Sequence, residues 1–355
     1  MKILRIYPFL PPNPGGMEKH ILRLSEEQIK QGHDVTLAFS DGLAVSSHDI
    51  KLKFSFSLRK VRPQSLRDLI FYLRLSQKIR KNKLTYDVIH IHGAWSAFFF
   101  AKLIKRVSKA RVVMGSIHGQ IPKSYLSRLI YKFVSSSIDV VYCTGLEDVN
   151  FLKKNIVSKS YWRTSGVDES FYIVDKLNSQ QKEIDVISVG SFVEVKNHKL
   201  IVDIADKLPH LKFCLVGDGP LFDKIKDLLA ERNILNVSLM GNLDYAQVAN
   251  LMKSSSIFLM TSLSEGTPTS MLEAMASGNV VITSNSNDFS SIFANEKEGF
   301  VLKTFETSKY VNLINMLLEN NEMMKEISDA ARANSQLFSW KNVASQITSW
   351  MKDEL

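Results

Sequence analysis

The chain has 355 residues, of which 45% are hydrophobic and 23% charged, with a net charge of +9, the balance of a soluble globular protein with room for about two domains. Only Cys143 and Cys214 are present, both in apolar runs, which excludes a disulfide framework and points to a reducing compartment, the cytosol by default. The opening MKILRIYPFLPPNPGG has too short an apolar run for a secretory signal, and no run approaches the roughly 18 apolar residues of a membrane span.

Short β-branched runs alternate with segments of helical period from the start of the chain, the pattern of parallel sheets with crossover helices. In the first half strands are expected at residues 3–7, 35–39, 88–91, 112–117 and 140–143, with helices near 17–31, 66–82, 95–108, 122–135 and 146–155. Residues 165–184 are polar, lack a period and read as a linker. In the second half strands at 186–189, 213–216, 237–240, 257–260 and 280–283 alternate with helices near 198–208, 220–232, 245–253 and 270–277. After residue 304 the pattern is helical, ending in a segment from about 339 to 352 with Trp340, Val343, Ile347, Trp350 and Met351 on one side. The expected fold is therefore α/β, two Rossmann-like doubly wound domains facing each other across a cleft. The domains are placed at 1–165 and 166–337, with the final helix (about 338–355) packing back on the first. The last four residues, Lys352-Asp353-Glu354-Leu355, spell a lumenal retention signal but read as the coincidental end of a charged helix.

The charge is lopsided. Residues 1–150 hold 24 Lys and Arg against 11 Asp and Glu, so the remainder is mildly acidic. Residues 51–83 carry eleven basic side chains and one acid, Asp68, interleaved with Phe54, Phe56, Phe71 and Tyr72. That mixture suits an anionic membrane surface; nucleic acid is a weaker candidate and a solvated helix face a plain alternative.

In doubly wound domains ligands gather at the carboxyl ends of strands, so the loops there carry the candidates. After the first strand, Gly15-Gly16 at a helix start would let backbone N–H groups approach a phosphate closely. His90, His92 and His118 end two strands beside glycines and suggest a polar pocket rather than core packing, with zinc disfavoured for want of a fourth ligand. Lys196 lies near a helix N-terminus, where a cation opposes the dipole, and so implies an anionic partner. Gly217-Asp218-Gly219-Pro220 starts like a dinucleotide fingerprint but lacks its third glycine and a ribose-binding acid. The richest segment is EGTPTSMLEAMASG, with Glu265 and Glu273 eight positions apart in a strand–turn–helix unit. It places one carboxylate at the strand end and the other two turns into the helix. Carboxylates accept from vicinal hydroxyls, and the free N–H groups of Thr267, Thr269 and Ser270 favour an anion; a nucleotide sugar carries both. No Asp-x-Asp occurs in the chain, so positioned lysine and backbone N–H groups would replace a diphosphate-bound metal.

These residues, in order, resemble the retaining GT-B-fold nucleotide-sugar transferases of glycosyltransferase family 4, common in bacterial surface-polysaccharide synthesis. The resemblance spans nearly the whole chain. It rests on Gly15-Gly16-Met17-Glu18, His118-Gly119, Ser165-Gly166-Val167-Asp168 with Phe171, Gly190 through Lys196, Val216 through Pro220, and the Glu265–Glu273 motif. It implies that the first domain binds acceptor and the second the nucleotide sugar. Glu265 would contact donor-sugar hydroxyls and Glu273 the ribose, with Gly16 and Lys196 on the diphosphate. Gly241-Asn242-Leu243 would lie near the base, and Gly266, Thr267, Pro268, Thr269 and Ser270 would complete the donor site. His118 would line the reaction centre, with His92 and Glu18 as acceptor-side candidates. Many relatives carry an Arg where this chain has Ser191.

The implied reaction moves a hexose or N-acetylhexosamine, from a UDP-sugar on family frequency, to a lipid-linked saccharide in O-antigen, capsule or lipopolysaccharide synthesis. It needs no cofactor beyond the co-substrate and no essential metal, and the enzyme would sit on the inner face of the cytoplasmic membrane with no nucleic-acid partner. The competing readings are a GT-B nucleotide-sugar 2-epimerase and a catalytically weak basic relative that binds membranes or nucleic acid.

Overall fold

The computed structural model describes all residues except 13–15, 119–120, 122–123, 156–158, 173–181, 266–267, 287–288 and 290–291. The chain divides into two compact units, Met1–Gly166 joined by Trp340–Leu355, and Val167–Ser339.

Unit 1 runs β1 (Lys2–Ile6), α1 (Gly16–Lys30), β2 (Asp34–Phe39), β3 (Ile50–Lys51), α2 (Gln64–Lys81), β4 (Val88–His92), α3 (Trp95–Phe98), α4 (Ala101–Ser108), β5 (Val112–Ile117), α5 (Tyr125–Ser135), β6 (Val140–Cys143), α6 (Leu146–Asn155) and β7 (Ser160–Trp162). Its seven strands are all parallel, in the order β3-β2-β1-β4-β5-β6-β7. The strands read as near-continuous apolar runs because both faces of a parallel sheet are covered.

Unit 2 runs β8 (Ile184–Val189), α7 (His198–Lys207), β9 (Phe213–Val216), α8 (Phe222–Glu231), β10 (Val237–Leu239), α9 (Tyr245–Lys253), β11 (Ser255–Met260), α10 (Thr269–Ala276), β12 (Val280–Ser284), β13 (Phe300–Leu302), α11 (Thr307–Glu319) and α12 (Asn321–Ser335). Its six parallel strands lie in the order β10-β9-β8-β11-β12-β13. The last helix, α13 (Trp340–Lys352), belongs to unit 1. Its Val343, Ala344, Ile347 and Met351 are fully buried against Ile3, Val88, Val112 and Met114 of the sheet. Gly166 makes room for that helix, since a Cβ there would stand 2.4 Å from the Trp340 ring.

Both units thus have the 3-2-1-4-5-6 order of a doubly wound domain, which fixes a switch point between the first and fourth strands of each. In unit 1 it lies between β1 and β4; in unit 2, between β8 and β11.

Three expectations are corrected in detail. The single helix read over 95–108 is two, broken at Phe99–Phe100. Phe98 is buried in the core while Phe100 stacks on Tyr72 with centroids 5.1 Å apart, and a straight helix would point those two rings about 200° from each other. Glu273 is the fifth residue of α10, one turn into the helix rather than two. The edge strands β3, β7 and β13 were not anticipated; each has only two or three residues, too short for a period to show.

Candidate functional site

In unit 2 the loop after β8 ends in a single 3-10 turn, Glu194–Lys196, followed by Asn197 in the left-handed region (φ 52°) at the start of α7. Asparagine tolerates that backbone better than most residues. The loop after β11 is fastened to this turn. Thr261 Oγ1 donates to the carbonyls of Lys196 (3.2 Å) and Asn197 (3.0 Å), and the Leu263 N–H donates to the Val195 carbonyl (2.7 Å). Across the fastened loops Lys196 Nζ donates to Glu265 Oε1 at 2.5 Å, and Ser262 Oγ donates to the same oxygen at 2.6 Å. The two side chains are 23% and 9% exposed, so the ion pair is held well out of solvent but still open on one side. The anion expected near Lys196 is, within this structure, Glu265, and the pair bridges the two loops that border the switch point.

Helix α10 begins four residues beyond Glu265. Its cap, Pro268, is buried and supplies no side-chain hydrogen bond, and the first-turn amides of Thr269 and Ser270 have no acceptor within the helix. Thr269 is exposed and Ser270 half-buried. Glu273, one turn on, is buried and accepts a short hydrogen bond from Tyr245 Oη. Tyr245 opens α9, placed there by the capping box of Asp244 and Gln247, and its ring meets Phe171 edge-on at 5.3 Å. Asn242 is exposed and Leu243 half-buried in the loop that leads to it. Ser191 is exposed at the mouth of the β8 loop.

The glycine-rich turn after β9 packs these loops together. Gly217 has φ +136°, and a Cβ there would lie 2.0 Å from the Gly190 carbonyl oxygen. The Gly217 N–H donates to the Gly241 carbonyl at 2.8 Å, and the Gly190 N–H to the Val216 carbonyl at 2.9 Å, so three successive strand ends are knitted side by side. Gly15, Gly266 and Thr267 lie outside the described residues, and Gly16 opens α1 with free space around its Cα.

In unit 1 His90 and His92 are packed in the interior, which corrects the expected polar pocket for these two, while His118 is half-buried. His90 and His92 project from the same face of central strand β4, with ring centroids 4.1 Å apart and exposures of 0% and 1%. Because β4 is covered on both sides, any side chain on it is buried. His92 Nδ1 lies 2.7 Å from Ser116 Oγ and 3.3 Å from His118 Nε2, while His20 on α1 lies 2.8 Å from Tyr142 Oη and 2.9 Å from Ser165 Oγ. Two polar chains, Ser165–His20–Tyr142 and Ser116–His92–His118, meet where Ser116 and Tyr142 stand in register on the neighbouring strands β5 and β6. Burial holds His20, His90 and His92 well below their usual range, and packing pushes His118 down to about 4 although part of its ring stays accessible. All four are neutral at pH 7. Arg5, in the middle of β1, is fully buried without a carboxylate partner. It donates to Ser25 (2.5 Å), Gln28 and His90 (3.4 Å), and burial brings it down to about 10. Glu18, on the first turn of α1, is buried near Tyr7, whose hydroxyl is raised to about 12 by burial first and by Glu18 next.

The structure therefore brings together Lys196 with Glu265, and His92 with His118, each within its own unit. Arg5, His20, Tyr142 and Tyr245 were not singled out from sequence. A charged residue in the apolar run of β1 was a usable sign for Arg5, and the Asp244-x-x-Gln247 pattern for the placement of Tyr245. Among the described residues, no set of three His, Cys, Asp or Glu is arranged as a metal-binding group. Cys143 and Cys214 are buried free thiols.

Two parallel sheets of this order in tandem, each with polar groups at its switch point, define the GT-B class. Solved structures of that class agree over the full length. Sucrose-phosphate synthase from Thermosynechococcus elongatus has a TM-score of 0.79 at 17% identity, covering 99% of this chain and 98% of that one. HepE from Anabaena, determined with UDP and glucose, has a TM-score of 0.75 at 18% identity, covering 99% and 100%. In sequence, Glycosyltransferase Family 4 matches residues 14–160 and Glycosyl transferases group 1 matches residues 171–334. Among curated relatives, an uncharacterized glycosyltransferase of Methanocaldococcus jannaschii is 25% identical over 77% of this chain and 78% of its own. The Escherichia coli UDP-Gal:alpha-D-GlcNAc-diphosphoundecaprenol alpha-1,3-galactosyltransferase is 24% identical over 70% of each. The chain is a glycosyltransferase of GT-B type, its first domain similar to Glycosyltransferase Family 4 and its second to Glycosyl transferases group 1.

Proposed function

We propose that the chain transfers a hexose or N-acetylhexosamine from a UDP-sugar to a hydroxyl of a lipid-linked saccharide, with retention at the anomeric carbon. We place this step in cell-surface polysaccharide synthesis at the inner face of the cytoplasmic membrane. The observation that carries the reading is the Lys196–Glu265 pair across the loops at the switch point of unit 2, with the start of α10 four residues further on. HepE was determined with UDP and glucose, and the E. coli relative acts on a diphosphoundecaprenol-linked sugar, which supports this donor and acceptor class.

As the bond to the leaving group breaks, negative charge builds on the diphosphate, and catalysis consists largely of stabilising it. Lys196 Nζ and the amides at the start of α10 supply that stabilisation without a metal. The diphosphate takes over Lys196 and frees Glu265 Oε1 for sugar hydroxyls, while Glu273 accepts from the ribose beside Tyr245. Glu265 acts on far hydroxyls and not as a covalent nucleophile, so the departing phosphate removes the acceptor proton on the same face. On unit 1, Glu18 and His118 serve the acceptor side, with the interior His92 positioning His118 at 3.3 Å. His118, neutral at pH 7, can accept or donate a hydrogen bond but does not supply a fixed positive charge.

A thermal-shift panel of UDP-, GDP- and ADP-sugars tests the donor class. Stabilisation by UDP-sugars with EDTA present, and no new sugar nucleotide formed from donor alone, is the expected result. A new sugar nucleotide formed without acceptor would mark an epimerase instead.

A further inference from the structure

We propose that α5, together with Phe99, is the surface by which this protein docks on an anionic lipid bilayer. Surface helices ordinarily turn polar residues outward, and a helix that is apolar all round is normally buried. α5 breaks that rule. Its inner face is closed by Tyr131 and Val134, yet Tyr125, Leu126, Leu129 and Phe133 on the opposite side are 76%, 65%, 48% and 67% exposed. At 3.6 residues per turn these four fall within an arc of about 100°, flanked on one edge by Arg128 and Lys132. Phe99, 57% exposed, extends the patch, its ring 5.6 Å from that of Phe133.

Along the chain on either side of this patch the charge has one sign. No Asp or Glu occurs between Asp87 and Asp139, a stretch that contains eight Lys and Arg, among them Lys102, Arg106, Arg128 and Lys132, all exposed. An apolar arc edged by the cations Arg128 and Lys132 complements an anionic bilayer, whose acyl boundary takes the rings and leucines and whose headgroups meet the bases. Segment 51–83 is suited differently. Its arginines lie over rings, Arg59 and Arg67 over Phe9 at 4.9 and 5.3 Å and Arg74 over Phe54 at 4.9 Å, much as Arg128 lies over Phe151 at 5.8 Å, but its apolar side chains Phe56, Leu66, Leu69 and Leu73 are only 49%, 43%, 40% and 44% exposed. None of the α5 residues belongs to the proposed donor or acceptor groups, so docking is testable apart from transfer.

The test is co-sedimentation of the full chain with phosphatidylcholine vesicles and with vesicles containing 30% (about one third) phosphatidylglycerol. Binding to anionic vesicles should fall at least tenfold in Leu129→Ser/Phe133→Ser, and by about five- to thirtyfold in Arg128→Gln/Lys132→Gln, where the residual binding loses most of its salt dependence. Lys53→Gln/Lys60→Gln, in segment 51–83, should change it far less. The unchanged far-ultraviolet spectrum and melting midpoint of each variant separate docking from misfolding. Equal binding to neutral vesicles, loss only with the 51–83 variant, or no vesicle binding together with a dimer that Leu129→Ser/Phe133→Ser dissociates would each overturn the assignment.

Discussion

The switch point of unit 1 and that of unit 2 occupy equivalent places in equivalent sheets, and they are built from different materials. From β1 across β4 and β5 to β6, beside the switch point of unit 1, the chain sets a buried set of neutral histidines, Tyr142 and the guanidinium of Arg5. Between β8 and β11 it sets an ion pair, Lys196 with Glu265, which is open on one side and lies near the start of α10. A buried network orients groups but cannot rearrange cheaply, and here it leaves the Nε2 atoms of His90 and His92 without a hydrogen-bond partner among the described residues. A half-open ion pair can exchange one partner for a ligand. Under the proposed function, that difference gives unit 1 the positioning and unit 2 the charge handling.

The sharpest way to break that division is Glu265→Ala. Transfer should fall by about 10³ with the melting midpoint nearly unchanged, since removing one preorganised electrostatic group typically costs 10²–10³; near-normal turnover would reject the role. Lys196→Ala should cost a similar factor. The double variant should be no worse than about the poorer single one, because the two side chains act as a unit. Steady-state kinetics on all three variants decides it.

Acid should break unit 1 first. Its three buried histidines and the half-buried His118 are neutral when folded and bind protons near pH 6.5 when unfolded, so the stability they lend is whole above about 6.5 and is lost as pH falls toward their lowered values. Each contributes at most about 1.4 kcal/mol per pH unit in that window. In unit 2 one histidine, His198, stacked on Phe192 at 4.1 Å and lowered to about 4 by burial and then by Lys196, is of this kind. Limited proteolysis between pH 7 and 5, mapped by mass spectrometry, should show cleavage appearing first in residues 1–166; earlier cleavage in 167–339 would contradict the contrast.

Smaller effects sharpen the picture of unit 2. Tyr245→Phe removes the hydroxyl that donates to Glu273 and should raise donor KM by about tenfold with kcat little changed, the effect of one hydrogen bond to a charged group. Ser191→Arg should tighten donor binding by no more than about fivefold, as expected of an ion pair at an exposed position.

Much of this was legible in the sequence, for physical reasons that vary by element. Central strands such as Val112–Ile117 and Val140–Cys143 are buried on both faces and so appear as unbroken apolar runs with sharp ends. Edge strands such as β3 are too short to leave a pattern. Glu265 and Lys196 stood out because turn residues surround them, but their pairing depends on Thr261 and Leu263 fastening two loops about 65 residues apart, which no local pattern encodes. His90 and His92 were visible as residues and misread as surroundings, since a strand end looks alike in sequence whether helices cover it or not. His20 fits the apolar face of α1 and gave no sign of its bonds to Tyr142 and Ser165.

The central claim is that unit 2 grips a nucleotide diphosphate sugar through Lys196 and Glu265 without a metal. Titration calorimetry of a UDP-sugar in EDTA, with the wild-type chain beside Lys196→Ala and Glu265→Ala, tests it most directly. The account predicts saturable binding that EDTA leaves intact and that each substitution weakens at least tenfold. Equal affinity in all three proteins, or binding abolished by EDTA, would contradict it.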